Sequence, residues 1–196
     1  GRIALLGTGV VGSAVVARYR HLVEQGVELP PFAWLSNSRA QVANAGSLED
    51  AIAQARSAPR RQGASVPPWA EGESLQRGDL VIDATASDTV AGWHAEWLQR
   101  GIHVVTANKL GNGGDLARAQ AIVDAQKSGA RYGDSATVGA GLPLLRLIRE
   151  LVAGGDRIHT VEGVLSGSLA WLLSRYDDTR PFSDLVRAAR DARYTE

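Results

Sequence analysis

Near the amino terminus, Gly7-Thr8-Gly9-Val10-Val11-Gly12 has the spacing G-x-G-x-x-G. That spacing suits the diphosphate of a dinucleotide. Gly7 permits a tight turn, Gly9 lets the backbone approach the phosphates, and Gly12 lets a helix lie close on a strand. The start of that helix would offer free N–H groups and a partial positive charge. A glycine-rich turn with no ligand is the bland reading; the apolar run before it and the amphipathic run after it favour the first. Ser36-Asn37-Ser38-Arg39 lies where an NAD site would carry an acid for the ribose 2′-hydroxyl. No acid stands there, and Arg39 would accept a 2′-phosphate, so NADP is expected and NAD tolerated. Arg39 as an exposed residue in the first turn of a helix is the alternative. Thr85 and Ala86, in Asp83-Ala84-Thr85-Ala86-Ser87-Asp88, would lie along the cofactor, with Ser87 or Asp88 capping a helix. Lys109, closing Thr106-Ala107-Asn108-Lys109, could orient a substrate carboxylate or polarise a carbonyl as hydride arrives; it could equally be a solvated surface group.

These residues need strands that end at one edge. Short apolar runs at 3–6, 32–35, 80–84 and 102–106 read as strands. Helical patterns at 12–25, 47–55, 88–100, 114–128 and 143–152 alternate with them, which predicts an α/β, doubly wound parallel sheet buried on both faces. Residues 57–74 break the rhythm with prolines and no period, and read as an excursion over the cofactor or as a surface loop. Past Tyr132 a glycine-rich turn, a strand at 158–165 and helices at 168–176 and 183–193, the last capped by Ser183, suggest a second, α+β domain. The expected division is 1–135 for a dinucleotide-binding domain and 136–196 for the opening of a substrate-binding and dimerisation domain.

Composition narrows the function classes. The chain has 196 residues and 21 basic against 21 acidic side chains, a net charge of zero that argues against a nucleic-acid partner held by bulk electrostatics. No apolar run reaches the roughly 18 residues that cross a bilayer. The absence of cysteine excludes disulfides, thiolate metal sites and a cysteine nucleophile in this stretch. His21, His94, His103 and His159 lack metal-ligand spacing and read as structural or exposed. Val138, Ala140 and Leu142 could turn backbone carbonyls toward a hard cation, although a tight turn before a helix starting at Pro143 is the plainer reading. No secretory signal precedes the first strand, so a cytoplasmic protein is expected. The missing initiator methionine and the abrupt end at Glu196 suggest part of a longer protein.

The glycine fingerprint, Asn37-Ser38-Arg39, Thr106-Ala107-Asn108-Lys109, residues 136–143 (ATVGAGLP), residues 163–169 (GVLSGSL) and Tyr194-Thr195-Glu196 occur in the order seen in homoserine dehydrogenase. The sequence resembles the bacterial forms, including those fused to an aspartokinase, over essentially its whole length. The resemblance implies a Rossmann-type fold and NAD(P)H-dependent interconversion of L-aspartate 4-semialdehyde and L-homoserine, a step toward threonine, isoleucine and methionine. It implies cofactor contacts from Gly7 to Gly12, Thr85, Ala86, Ala107 and Lys109, with Lys109 also near the reacting centre and the substrate. It implies that Glu196 holds the substrate amino group, that a sodium ion sits on the carbonyls of Val138, Ala140 and Leu142, and that the complete protein is a homodimer or larger. Ser135 stands where many members have Glu, Arg193 where Gly is usual, and Ala170-Trp171 where Asn-Tyr is common. The family's main proton-donating lysine lies beyond the last residue, so this chain is expected to bind cofactor and turn over poorly. An NADP-binding sensor without catalysis, or another two-domain dehydrogenase acting on an amino acid, are the competing readings. The lack of cysteine favours direct hydride transfer over a thioester route.

Overall fold

The computed structural model describes residues 1–43, 46–63, 66–192 and 194. The chain divides into two compact units, Gly1–Asp134 and Ser135–Glu196.

The first unit is built on a six-stranded sheet. Its strands are β1 (Ile3–Leu6), β2 (Phe32–Ser36), β3 (Gln41–Ala43), β4 (Leu80–Asp83), β5 (His103–Thr106) and β6 (Tyr132–Gly133), in the order β3-β2-β1-β4-β5-β6. All neighbours are parallel except β2 and β3. The sequence therefore misses two strands, each too short to show a period, and the sheet is mixed at one edge. That edge arises from a turn: Asn37 Oδ1 accepts from the N–H groups of Arg39 at 2.8 Å and Ala40 at 3.1 Å, and the chain doubles back into β3. The alternative reading of Arg39, as a residue in the first turn of a helix, is thus replaced by a hairpin.

The helices are α1 (Val10–Glu24), α2 (Leu48–Ser57), α3 (Pro68–Glu71), α4 (Asp88–Gly92), α5 (His94–Gln99) and α6 (Leu116–Ala125). The single helix expected at 88–100 is interrupted at Trp93, next to Gly92, a weak helix former. Every residue of β1 is buried, and the faces separate by parity. Ala4 and Leu6 join Trp34, Trp97, Val104 and Ile122 in one apolar cluster, while Ile3 and Leu5 join Val16, Leu35 and Ile52 in another. Two covered faces are what an uninterrupted apolar strand encodes.

The second unit holds α7 (Leu144–Ala153), α8 (Gly167–Leu173) and α9 (Phe182–Asp191). Leu172, Leu185 and Ala189 form its buried cluster. Residues 158–165 form no strand; a strand needs a hydrogen-bonded neighbour, and the described residues of this unit supply none. Pro181, not Ser183, occupies the N-cap of α9. Among the described residues no helix is long and apolar enough to cross a membrane.

Candidate functional site

β1 lies between β2 and β4, so the connections leave it in opposite directions and open a crevice at the strand carboxyl ends. Leu6 pairs with Asp83, and Asp83 with Thr106, which brings the loops after β1, β4 and β5 to one level. Gly7 N–H donates to Ser36 O at 2.8 Å, Ala84 N–H to Leu6 O at 2.8 Å, and Ala107 N–H to Asp83 O at 2.9 Å.

The three glycines of the fingerprint differ physically. Gly7 has φ +96°, and a Cβ there would lie 2.5 Å from Ala84 O. A Cβ at Gly12 would lie 1.9 Å from Gly7 O, so only glycine lets α1 sit this close to the turn. A Cβ at Gly9 would meet nothing within 4 Å. Fold packing explains the first and third; the open space at Gly9 is room for a ligand. Gly9 is also the N-cap of α1, with no side-chain cap and no acidic residue in the first turn. The Val10 and Val11 side chains are exposed beside it. The helix start thus has amides and dipole available for an anion, and the residues fit a diphosphate.

Neighbouring side chains brace this turn. Thr8 is buried, and its hydroxyl accepts from Asn37 Nδ2 at 3.0 Å. Arg56 Nε donates to Thr8 O at 2.6 Å, and another guanidinium nitrogen reaches Gly9 O and the Ser13 hydroxyl at 3.2 and 2.8 Å. Sequence reading assigned neither Asn37 nor Arg56 a role.

A cavity of about 740 Å³ opens beside the turn. Gly7, Asn37, Ser38, Thr85 and Ala86 line it, together with Arg61, Gly63, Val66, Pro67, Pro68 and Trp69 of the excursion. The excursion is anchored: Trp69 is buried and meets Trp93 and Trp97 edge-on, with ring centroids 5.3 and 5.6 Å away. Arg61 pairs with Glu71 at 2.5 Å and donates to Val66 O at 3.2 Å. The Arg61 hydrogen bond holds the Glu71 carboxyl below its ordinary value and raises the guanidinium. Arg39 does not line the cavity. Its guanidinium donates to the carbonyls of Arg56 at 2.8 Å and Ala58 at 3.4 Å, at the end of α2.

Thr85 is fixed by Asp83, whose Oδ1 accepts from its N–H and hydroxyl at 2.9 and 2.7 Å. Ser87 caps α4. Ala107 is half-buried and Lys109 exposed in the turn after β5; neither lines the cavity. Asp83, His94 and Asn108 are buried together beneath these loops. Their signal in the sequence is an acid closing an apolar strand, which demands donors once buried. In the second unit, Val138, Ala140 and Leu142 belong to a turn with Gly139 at φ +74° and Ala140 at φ +52°, closed by Leu142 N–H to Gly139 O at 3.0 Å. Glu196 lies outside the described residues. Among the described residues no group of three or more His, Cys, Asp or Glu is placed to hold a metal.

Comparison with known proteins supplies a family. The family model described as "Homoserine dehydrogenase, NAD binding domain" matches residues 7–132, and the one described as "Homoserine dehydrogenase" matches 143–196. The chain is 32% identical over 189 residues to a chloroplastic bifunctional aspartokinase/homoserine dehydrogenase 2 of Zea mays, covering 96% of this chain and 18% of that protein. It is 26% identical to the homoserine dehydrogenase of Saccharomyces cerevisiae, covering 99% of this chain and 56% of the yeast protein. In fold it matches a hyperthermophilic archaeal homoserine dehydrogenase solved with NADPH, at TM-score 0.76 and 20% identity, over all of this chain and 62% of that one. The chain thus spans less than two thirds of the length of each of these relatives.

Proposed function

This chain belongs to the homoserine dehydrogenase family, and on that premise we propose that it forms the dinucleotide-binding part, and the opening of the substrate-binding part, of an enzyme interconverting L-aspartate 4-semialdehyde and L-homoserine. The observation that carries the reading is the unfilled space at Gly9 beside an uncapped helix start. When bound, the dinucleotide supplies hydride to the aldehyde carbon. Gly7, Thr8, Gly9, Val10, Val11 and Gly12 would hold its diphosphate, chiefly through backbone amides. Thr85, Ala86 and Ala107 would flank it. Lys109 would carry positive charge toward the aldehyde oxygen or a substrate carboxylate, and Glu196 would take the substrate ammonium. NADP is the preferred cofactor in this reading, with NAD possible. Arg39 would meet the 2′-phosphate by giving up its bonds to α2, whereas Arg61 already lines the cavity as a cation. A sodium ion on the carbonyls of Val138, Ala140 and Leu142, a homodimer and a cytoplasmic location complete the proposal. The family match over 143–196 speaks for catalysis over a sensor that only binds NADP.

The test has two parts. Fluorescence titration of this chain with NADPH and NADH should give saturable binding, tighter for NADPH. Homoserine-dependent reduction of NADP by the full-length gene product should be lost in Lys109→Ala. Turnover undiminished in that variant removes Lys109 from the mechanism, and absence of dinucleotide binding sinks the whole reading.

A further inference from the structure

Asp83 ends β4 with its side chain fully buried, and hydrogen bonds fill it. Besides the two donors of Thr85 on Oδ1, Oδ2 accepts from His94 Nε2 at 2.9 Å and Asn108 Nδ2 at 3.0 Å. A carboxylate has about four lone-pair positions, and here each meets a donor. His94 is equally buried, and its Nδ1 lies 3.0 Å from the Tyr132 hydroxyl. With the proton on Nε2, Nδ1 accepts from the Tyr132 O–H, and both ring nitrogens are used.

This network grips both crevice loops. Thr85 is held directly, and its hydroxyl oxygen accepts from Ser87 N–H at 3.1 Å. Asn108, buried, also donates to Ser87 O at 2.9 Å, while its Oδ1 accepts from Leu110 N–H at 3.1 Å. One residue further on, Gly111 is buried, and a Cβ there would lie 2.4 Å from the Tyr132 hydroxyl and 3.0 Å from His94 Nδ1. Lys109 therefore sits on a loop fastened by Asn108 before it and seated on His94 and Tyr132 just after it.

We propose that His94 is a positioning residue: by fixing Asp83 and filling the space beside Gly111, it sets the backbone that presents Thr85 and Lys109. It touches neither cofactor nor substrate. The consequence for binding rests on the dinucleotide reading above; the consequence for loop order does not.

The experiment compares His94→Leu, His94→Gln and Tyr132→Phe by amide hydrogen exchange and by NADPH titration. His94→Leu should accelerate exchange at 84–88 and 107–111 while 3–6 and 32–36 keep their rates, and should weaken NADPH by up to about tenfold, the limit reached if the whole contribution of one buried hydrogen bond must be made up by reordering these loops on binding. The Gln side chain can still donate to Asp83, so His94→Gln should recover most of both effects. Tyr132→Phe removes one hydroxyl, keeps the ring, and should loosen 107–111 alone; it serves if His94→Leu does not fold. Exchange rising evenly over the sheet, or unchanged in all three variants, overturns the proposal and leaves His94 a core residue. Wild-type chain that fails to bind NADPH defeats the functional reading instead, and the exchange pattern still decides the positioning role.

Discussion

At Gly9 the backbone has φ −74° and ψ −156°, a conformation open to any residue, and a Cβ would touch no protein atom. Gly9→Ala should therefore change stability by no more than about 0.5 kcal/mol, because reduced unfolded-state freedom is offset by the weaker N-cap preference of alanine. The same methyl would stand in the space assigned to the diphosphate, so NADPH affinity should fall by more than about tenfold. Thermal melts and fluorescence titration on one preparation check both halves; normal affinity in a stable variant would show that the diphosphate lies elsewhere. Gly12→Ala makes the opposite case, since its Cβ would collide with Gly7 O and the fold itself should suffer. The fingerprint was legible because Gly7 and Gly12 each answer a local geometric demand of the fold, and Gly9 leaves room at the helix start. Arg39 was less so: the Asn37 turn that swings its guanidinium onto α2 depends on a side chain accepting two amides. Asp83 was least legible, because its partners His94 and Asn108 are 11 and 25 residues away.

At the scale of elements, the excursion between β3 and β4 is a wall with a hinge pin. Trp69 is held by Trp93, at the break between α4 and α5, and by Trp97 within α5. Trp69→Ala should cost about 3–5 kcal/mol of local stability, the usual price of removing a buried Trp. The expected signature is rapid tryptic cleavage at Arg60 and Arg61 and weaker NADPH binding; cleavage no faster than in wild type would mean that other contacts seat the excursion. The opposite ends of the strands depend on charge. Asp79 is buried between the starts of β1 and β4 and accepts from the Arg2 backbone at 2.8 Å, the Arg2 guanidinium at 2.7 Å and Gln76 N–H at 2.9 Å. Burial pushes its carboxyl up, but the Arg2 side chain, the Gln76 and Arg2 amides and the Arg2 charge outweigh it, and the net shift is downward. A lowered folded value means that this stabilisation is complete above the unfolded value of about 3.9 and is lost as pH falls through the folded one. The Tm gap between wild type and Asp79→Asn should thus be full near neutrality and close in acid. A gap independent of pH would show that the charge is immaterial. Sequence periodicity captured β1, β2, β4 and β5 and the helices α1, α2, α6 and α7, but not the break at Trp93 or the lack of a strand at 158–165; β3, β6 and the excursion depend on turns and ring contacts that carry no period.

For the molecule as a whole, every residue lining the cavity beside the glycine turn belongs to Gly1–Asp134. The linkage free energy of dinucleotide binding should therefore enter through that unit. At a ligand concentration of about 100 times Kd it amounts to about 2.7 kcal/mol. Among the described residues, Ser135–Glu196 has a buried cluster of Leu172, Leu185 and Ala189, with Trp171 against it, so its own stability should be the lower. Fluorescence separates the two, because Trp34, Trp69, Trp93 and Trp97 lie in the first unit and Trp171 in the second. Melting with and without NADPH, in wild type and in Trp171→Phe, should show the transition of the first unit moving up and the earlier one, absent from the variant's fluorescence, staying where it was. A rise of both by the same amount would mean that the second unit shares the binding free energy, and that the dinucleotide surface extends beyond the sheet that carries the glycine turn.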